Sequence, residues 1–255
     1  MKLILEIGNS STKLAVCNGL RISNINYLEN TDNAKFLVDL NNIVKNLELK
    51  KPKINQIVIS YVNKKMMNKI KKNLINKFSN LKLIILKDKK YKDFKIKYKN
   101  IDSFGSDRFF NCLGARALNS KTGSIIVDIG TATTFDVISN NFEYLGGMII
   151  PGPLTSFSSL LSNTSMIGKY KLIYKQEILG KSTHDCLSIG FTQGNSKMIE
   201  SLVFNIVNKY GKSYKTFITG GLTDIFKKYL PKKYVFDKLL TLKGIAFYLR
   251  DQDDF

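Results

Sequence analysis

Apolar positions along this chain alternate between a strand rhythm and a helix rhythm, and the same succession runs twice. Residues 2–6 form a short apolar run that reads as a buried strand. Residues 8–12 break it as a turn, and residues 14–17 return as its partner. Asn18-Gly19 is a tight-turn signal that hands on to a third strand near residues 22–28. Thr31-Asp32 then reads as a cap before a helical pattern of Phe36, Leu37, Leu40, Ile43, Val44 and Leu47. Pro52 interrupts, residues 57–59 make a short strand, and Met66, Met67, Ile70 and Leu74 mark a lysine-rich amphipathic helix before a strand at 83–86.

The second half repeats the order. Residues 125–128 read as a strand, 130–132 as a turn, 133–138 as a strand, Asn140-Asn141 as a hairpin turn and 144–150 as a third strand. Pro151 and Pro153 begin a helix, a longer helical region covers 185–209, and a strand at 216–219 ends in Gly220-Gly221. Three antiparallel strands followed by alternating helix and strand, used twice, is the ribonuclease-H-like half-module. The expected class is therefore α/β, with two such domains in tandem, residues 1–118 and 119–255, and a nucleotide cleft between them.

Composition narrows the chemistry. The 255 residues suffice for a substantial core, and no uninterrupted apolar stretch approaches the roughly 20 residues of a membrane span. Charged residues at Glu6 and polar Gly8-Asn9 cut short the only signal-like start, so a cytoplasmic location and no membrane partner are expected. Cys17, Cys112 and Cys186 are far apart, and His184 is the single histidine, which argues against a zinc site and against Ser-His-Asp chemistry. A net charge of +20 invites a nucleic-acid reading. Arginine, the usual bidentate reader, occurs only at Arg21, Arg108, Arg116 and Arg250, so nucleic acid is not the expected partner. The densest lysine run, residues 87–92, reads as a solvated loop, with steering of anionic substrates as the other option.

The most informative phrase occurs twice. Glu6-Ile7-Gly8-Asn9-Ser10-Ser11-Thr12-Lys13 and Asp128-Ile129-Gly130-Thr131-Ala132-Thr133-Thr134 each place a carboxylate at a strand end, then glycine, then small hydroxyl residues. Glycine admits a phosphate close to the backbone, successive N–H groups form an anion-binding concavity, and the carboxylate meets a counter-ion such as Mg²⁺ through water. An ordinary glycine hairpin is the competing explanation, weakened by the duplication. Gly180-Lys181-Ser182 and Gly211-Lys212-Ser213 end like a Walker loop, but Lys175 and Ile206 stand where its first glycine belongs. Gly105-Ser106-Asp107-Arg108 precedes a helical pattern. Asp107 there is either a helix-end charge or a general base, with Arg108 as an anion clamp.

In this order, Glu6–Lys13, Gly105–Arg108, residues 127–136 and 146–152 resemble type III pantothenate kinase, of the actin-like and sugar-kinase superfamily, over nearly the whole length. The resemblance implies phosphorylation of the terminal hydroxyl of pantothenate by ATP, the opening of coenzyme A synthesis, with Mg²⁺, a monovalent cation (K⁺ or ammonium) and a homodimer. It implies Asp107 as proton acceptor and Gly105, Ser106, Asp107 and Arg108 as the pantothenate turn. Tyr98 and Thr183 are implied as further substrate contacts. ATP falls to Glu6, Ile7, Gly8, Asn9, Ser10, Ser11, Thr12, Lys13, Gly130 and Thr131, with K⁺ at Asp128 and Mg²⁺ at Glu6 through water. The chain departs from the pattern at Glu6, where aspartate is usual, and more mildly at Ser10, Ile101 and Phe104. The rival reading is a regulatory or transcription accessory protein on the same fold, motivated by Glu6 and the charge.

Overall fold

The computed structural model describes residues 1–31, 33–51, 53–87, 89–164, 170–173 and 175–252. Asp32, Pro52 and Asp88, read above as cap, break and part of the lysine run, lie outside the described residues. The chain packs as two units: residues 1–118 together with the segment from Leu240 onward, and Asn119–Leu239.

In unit 1, strands β1 (Lys2–Ile7), β2 (Ser11–Asn18) and β3 (Arg21–Glu29) form an antiparallel meander. Helix α1 (Ala34–Lys50) leads to β4 (Gln56–Tyr61), and α2 (Lys64–Lys77) to β5 (Lys82–Ile85). Both later strands join in parallel, giving the order β3-β2-β1-β4-β5. Alternation then sorts the side chains by face. Leu3, Leu5 and Ile7 of β1 share a core with Phe36, Leu40 and Val44 of α1 and Met66, Ile70 and Leu74 of α2. Asparagine starts both helices. Asn33 accepts from the Phe36 N–H at 3.1 Å and Asn63 from the Met66 N–H at 2.9 Å, so the cap of α1 lies beyond the Thr31-Asp32 pair read from the sequence.

A two-residue strand β6 (Lys95–Ile96) and a 3₁₀ turn at Ile101–Ser103 precede helix α3 (Ser106–Leu118). The last helix, α7 (Leu240–Gln252), crosses α3 with the two backbones in contact. A Cβ at Gly244 would overlap the Phe110 carbonyl, and one at Gly114 would overlap the Leu240 carbonyl. A buried bond from the Thr241 hydroxyl to Asn111 Oδ1, 2.7 Å, lies beside the crossing. Helix α7 also touches β1, β2 and β3, and α3 touches β4, covering the sheet face that carries Ile4, Ala15 and Val58. The sequence reading kept residues 240–255 with the second half. Their described part packs in unit 1, where Gly244 of α7 meets α3 beside Gly114.

Unit 2 repeats the design. Strands β7 (Ser124–Ile129), β8 (Ala132–Ile138) and β9 (Glu143–Pro151) form the meander. Helix α4 (Pro153–Ser162) and the long α5 (Thr183–Tyr210) lead to β10 (Lys215–Thr219), which pairs in parallel with β7. A short α6 (Thr223–Phe226) leads to β11 (Val235–Phe236), parallel to β10. The strands of this unit run β11-β10-β7-β8-β9, the counterpart of unit 1 strand for strand. Ile125, Val127 and Ile129 share one face with Phe135, Ile218 and, from α5, Ile199 and Val203. Pro151 closes β9, and only Pro153 begins the helix, at the first-turn position where its missing N–H costs nothing.

Replacing Gly244 by alanine should destabilise the protein despite alanine's better helix propensity. The methyl must separate α3 from α7, and overpacking of this kind costs about 1–3 kcal/mol. Urea denaturation of Gly244→Ala checks it; an unchanged or higher midpoint would rule out so close a crossing.

Candidate active site

The duplicated turns sit at the C-terminal ends of β1 and β7, and their closures differ. In unit 1, Ile7 pairs with Thr12 and the Gly8 N–H donates to the Ser11 carbonyl at 2.9 Å. In unit 2, Ile129 pairs with Thr133 and the Gly130 N–H donates to the Ala132 carbonyl at 3.0 Å. The second loop is one residue shorter.

The Gly8 turn is held from outside by Asn30, just past β3. Its Nδ2 donates to the Gly8 carbonyl at 2.9 Å and to the Asn9 carbonyl at 3.3 Å. Its Oδ1 accepts from the buried Thr12 hydroxyl at 2.6 Å, and its own N–H donates to the Ser10 carbonyl at 2.8 Å. Nothing in the sequence announces this clamp, because its partners lie about twenty residues upstream. Only the general taste of asparagine for local backbone groups hints at it. Asn9 and Ser10 are exposed, and Ser11 is half-buried.

Glu6 is buried at the end of β1, and its register partner across β2 is Lys13. The Lys13 Nζ lies 2.7 Å from Glu6 Oε2, and that oxygen has no aligned hydrogen bond, so the contact is ionic. Lys13 therefore neutralises Glu6 rather than pointing away to a ligand. A carboxylate this enclosed needs such a charge. Beside the turn opens a cleft of about 210 Å³ lined by Asn9, Asn30, Asn63, Lys65, Met66 and Lys69. Its walls carry two ammonium groups, three carboxamides and no carboxylate.

One strand over, the start of α3 is fastened to the same sheet edge. Tyr61, the last residue of β4, pairs with Ile7, and its carbonyl accepts from the Ser106 hydroxyl. Gly105 begins the helix: its carbonyl accepts from the Phe109 N–H at 3.0 Å. Asp107 Oδ1 accepts from the Arg108 N–H at 2.8 Å. The Asp107 carboxylate folds so closely over Gly105 that a Cβ there would overlap it. Any other residue at 105 would displace the acid. Arg108 is only 5% exposed, with its guanidinium carbon 4.8 Å from the centre of the Phe104 ring and 5.9 Å from that of Tyr98. The two rings are themselves 5.1 Å apart. Such stacking fixes the orientation of the guanidinium. Tyr98, Gly105, Ser106, Asp107 and Arg108 thus form one cluster in unit 1.

In unit 2, Asp128 pairs in register with Thr134 on β8 and Thr219 on β10, so the three side chains share a sheet face. The hydroxyls of Thr134 and Thr219 are buried and have no hydrogen-bond partner among the described residues. Gly220, at φ +98°, packs against the Asp128 carboxylate, where a Cβ would overlap it. The Thr131 carbonyl accepts from the Gly152 N–H at 2.9 Å and from the Thr155 hydroxyl at 2.6 Å. Gly152 and Thr155 therefore shape this turn, and Thr155 was not foreseen. Thr183 is exposed at the start of α5, next to the cap Ser182, which accepts from the Asp185 N–H at 3.1 Å. The hydrogen bond from Lys175, then that from Ser182, holds the Asp185 carboxyl below its usual range. Among the described residues no group of three or more His, Cys, Asp or Glu could hold a metal by itself.

Against this geometry, comparison with known proteins is direct. The sequence profile of the family described as type III pantothenate kinase matches residues 2–205. The type III pantothenate kinase of Sulfurihydrogenibium is 32% identical over 253 residues, covering 97% of this chain and 98% of its own. That of Pelagibacter ubique is 34% identical over 251 residues, covering 96% and 97%. Among solved structures, a protein of Campylobacter jejuni described as a Baf family transcriptional activator aligns with a TM-score of 0.58 at 22% identity, over 99% of this chain and all of its own. The activator of 2-hydroxyisocaproyl-CoA dehydratase from Clostridium difficile, with bound ADPNP, aligns at 0.56 and 12% identity, over 99% and 95%. These two likenesses establish the shared fold.

Asn30→Ala should lower stability by about 1–3 kcal/mol, because it strips the Gly8 carbonyl and the buried Thr12 hydroxyl of partners together. Asn30→Asp, which keeps the acceptor for Thr12 but sets a carboxylate oxygen against the Gly8 and Asn9 carbonyls, should also destabilise. Urea midpoints of the two variants check this, and a wild-type midpoint in both would show that the clamp contributes nothing.

Proposed function

The chain belongs to the type III pantothenate kinase family, and we infer from that membership that it transfers the γ-phosphoryl group of ATP to the terminal hydroxyl of pantothenate, opening coenzyme A synthesis. Full-length identity of 32–34% to two kinases carries this reading. The regulator alternative is not favoured, because those relatives are kinases by name and the 22% likeness to the Campylobacter protein speaks to fold alone.

The site reading follows from the unit 1 cluster. Arg108, its guanidinium carbon over the Phe104 and Tyr98 rings, binds the pantothenate carboxylate, and Tyr98 and Thr183 contact the rest of the substrate. Asp107 accepts the hydroxyl proton as the oxygen attacks phosphorus. The backbone of the turns at Gly8 and Gly130, with Asn9, Ser10, Ser11, Thr12 and Thr131, holds the phosphates. The cleft with Lys65 and Lys69 fits a polyanion. Catalysis of this kind is positioning and charge stabilisation.

The residues also fit the family's cations. Mg²⁺ is commonly bound by one or two carboxylates together with water and substrate phosphates rather than by an all-protein cage, and Glu6, with Oε2 taken up by Lys13, would meet such an ion through water. When bound, the ion supplies charge neutralisation for the transferring phosphoryl group. Asp128, with the unpartnered buried hydroxyls of Thr134 and Thr219 on the same sheet face, offers the oxygen donors a monovalent cation takes. A reaction that consumes ATP and uses K⁺ belongs in the cytoplasm, and the reading includes a homodimer.

The purified protein should release ADP only when pantothenate and K⁺ or ammonium are both present. Asp107→Asn should cut kcat by about two to four orders of magnitude with an unchanged melting temperature. A coupled assay over a panel of hydroxy acids measures both; ADP release without pantothenate sinks the substrate assignment, and wild-type kcat in Asp107→Asn removes Asp107 as base. Glu6→Asp should keep or raise turnover, since it restores the usual residue. A large loss would mean that the Lys13 pairing has tuned the site to the longer side chain.

A further inference from the structure

The lysine-rich stretch that reads from sequence as a solvated loop is tied down within unit 1. Lys89 Nζ donates to the carbonyls of Asp102, at 2.9 Å, and Ile101, at 3.3 Å. Tyr91 lays its ring against α7, with its centre 5.4 Å from that of Phe247 and 6.2 Å from that of Tyr248. Its hydroxyl donates to Asp251, whose carboxylate is buried and also meets Arg250 Nε at 2.8 Å and Lys92 Nζ at 3.4 Å. Three residues on, the Phe94 N–H closes a turn onto the Tyr91 carbonyl at 3.2 Å, with Asp93 in the left-handed region at φ +63°. The Phe94 ring lies 6.0 Å from that of Phe109 on α3. From this turn the chain runs through β6 directly to Tyr98.

Burial, then the bond to Asp251, pushes the Tyr91 phenol well above its usual range, so it remains a donor at any physiological pH. Burial alone would raise the Asp251 carboxyl, but Tyr91, Arg250 and Lys92 outweigh it and hold it below the usual range. The pair therefore stays a neutral donor on an ionised acceptor, the stronger class of hydrogen bond.

We propose that Tyr91 and Asp251 form a clasp that fixes the segment leading to Tyr98, and that they are positioning residues for pantothenate. Their side-chain bonds and ring contacts described above run to each other, to α7 and to Lys92. They act through Tyr98, whose ring must stay beside Phe104 for the Arg108 guanidinium to keep its orientation. The proposal rests on the pantothenate reading above, and adds to it that the C-terminal helix sets affinity for the acceptor substrate but not for the nucleotide.

Kinetics and amide hydrogen exchange of Tyr91→Phe, Asp251→Ala and the double variant test it. Each single variant should raise the KM for pantothenate roughly three- to tenfold, with kcat and the KM for ATP within about twofold, as for loss of one charge-assisted bond. The double variant should be no worse than Asp251→Ala, which already removes the Tyr91 bond together with the Arg250 and Lys92 contacts. Amides of residues 92–98 should exchange faster in the free protein. Additive losses, or unchanged exchange in that segment, overturn the clasp. Faster exchange with an unchanged pantothenate KM, or a fall in kcat instead, overturns the positioning role. The wild-type protein in the same assay reports separately on the substrate reading: if it does not turn over pantothenate, that reading fails, and the substrate role of the clasp fails with it.

Discussion

The contact between α3 and α7 is the constraint on which unit 1 depends. At Gly114 and Gly244 the helices meet backbone to backbone, leaving no room for a side chain. This closeness lets one pair of helices cover the second face of the sheet, so that β1 is enclosed on both sides. It also fixes where α3 starts. Ser106 is bonded to the end of β4, and the carboxylate of Asp107 and the guanidinium of Arg108 follow from the first turn of a helix that cannot shift. The far end of α7 carries Asp251, so the same crossing sets where Tyr91 is held.

Each unit handles its buried carboxylate differently. Glu6 is matched by Lys13 across the strand pair, while Asp128 has hydroxyls at the equivalent register positions. A lysine beside one acid makes that end of β1 nearly neutral. Thr134 and Thr219 stand beside the other, with buried hydroxyls that have no hydrogen-bond partner among the described residues. The one-residue difference in loop length adds to this divergence, since the two turns present different sets of backbone N–H groups. Two copies of one phrase have become two unlike sites.

Most of the fold was legible because apolar periodicity is a local signal. The meanders, α1, α2, α5 and the parallel strands β4, β5 and β10 follow from it, within about three residues at the ends, whereas the two-residue β11 is too short to leave a pattern. The cluster of Tyr98 with Gly105–Arg108 was legible through motif and short separation. What the sequence concealed depends on distant partners. Asn30 clamps a turn formed long before it, Thr155 braces Thr131, and α7 belongs with a helix more than a hundred residues upstream. The lysine run misled for a related reason. Charge density reads as solvation, whereas the run is held by the Tyr91 ring on α7, the Tyr91 hydroxyl on Asp251, and Lys89 on two backbone carbonyls. The cap of α1 slipped for a simpler one: Asn33, next to Thr31-Asp32, is an equally good acceptor.

The discontinuity of unit 1 has a bearing on how the polypeptide acquires its shape during synthesis. Domains generally fold as units, amino-terminal first, as they leave the ribosome. Here residues 119–239 form a continuous unit, complete as soon as they have emerged, while unit 1 still lacks α7. Until α7 is available, the face of the unit 1 sheet that carries Ile4 and Ala15 lacks the helix that touches β1, β2 and β3 and lays its glycine against Phe110. Unit 2 is thus the first whose described elements are all available, and unit 1, which carries the proposed acceptor site, is completed only with α7.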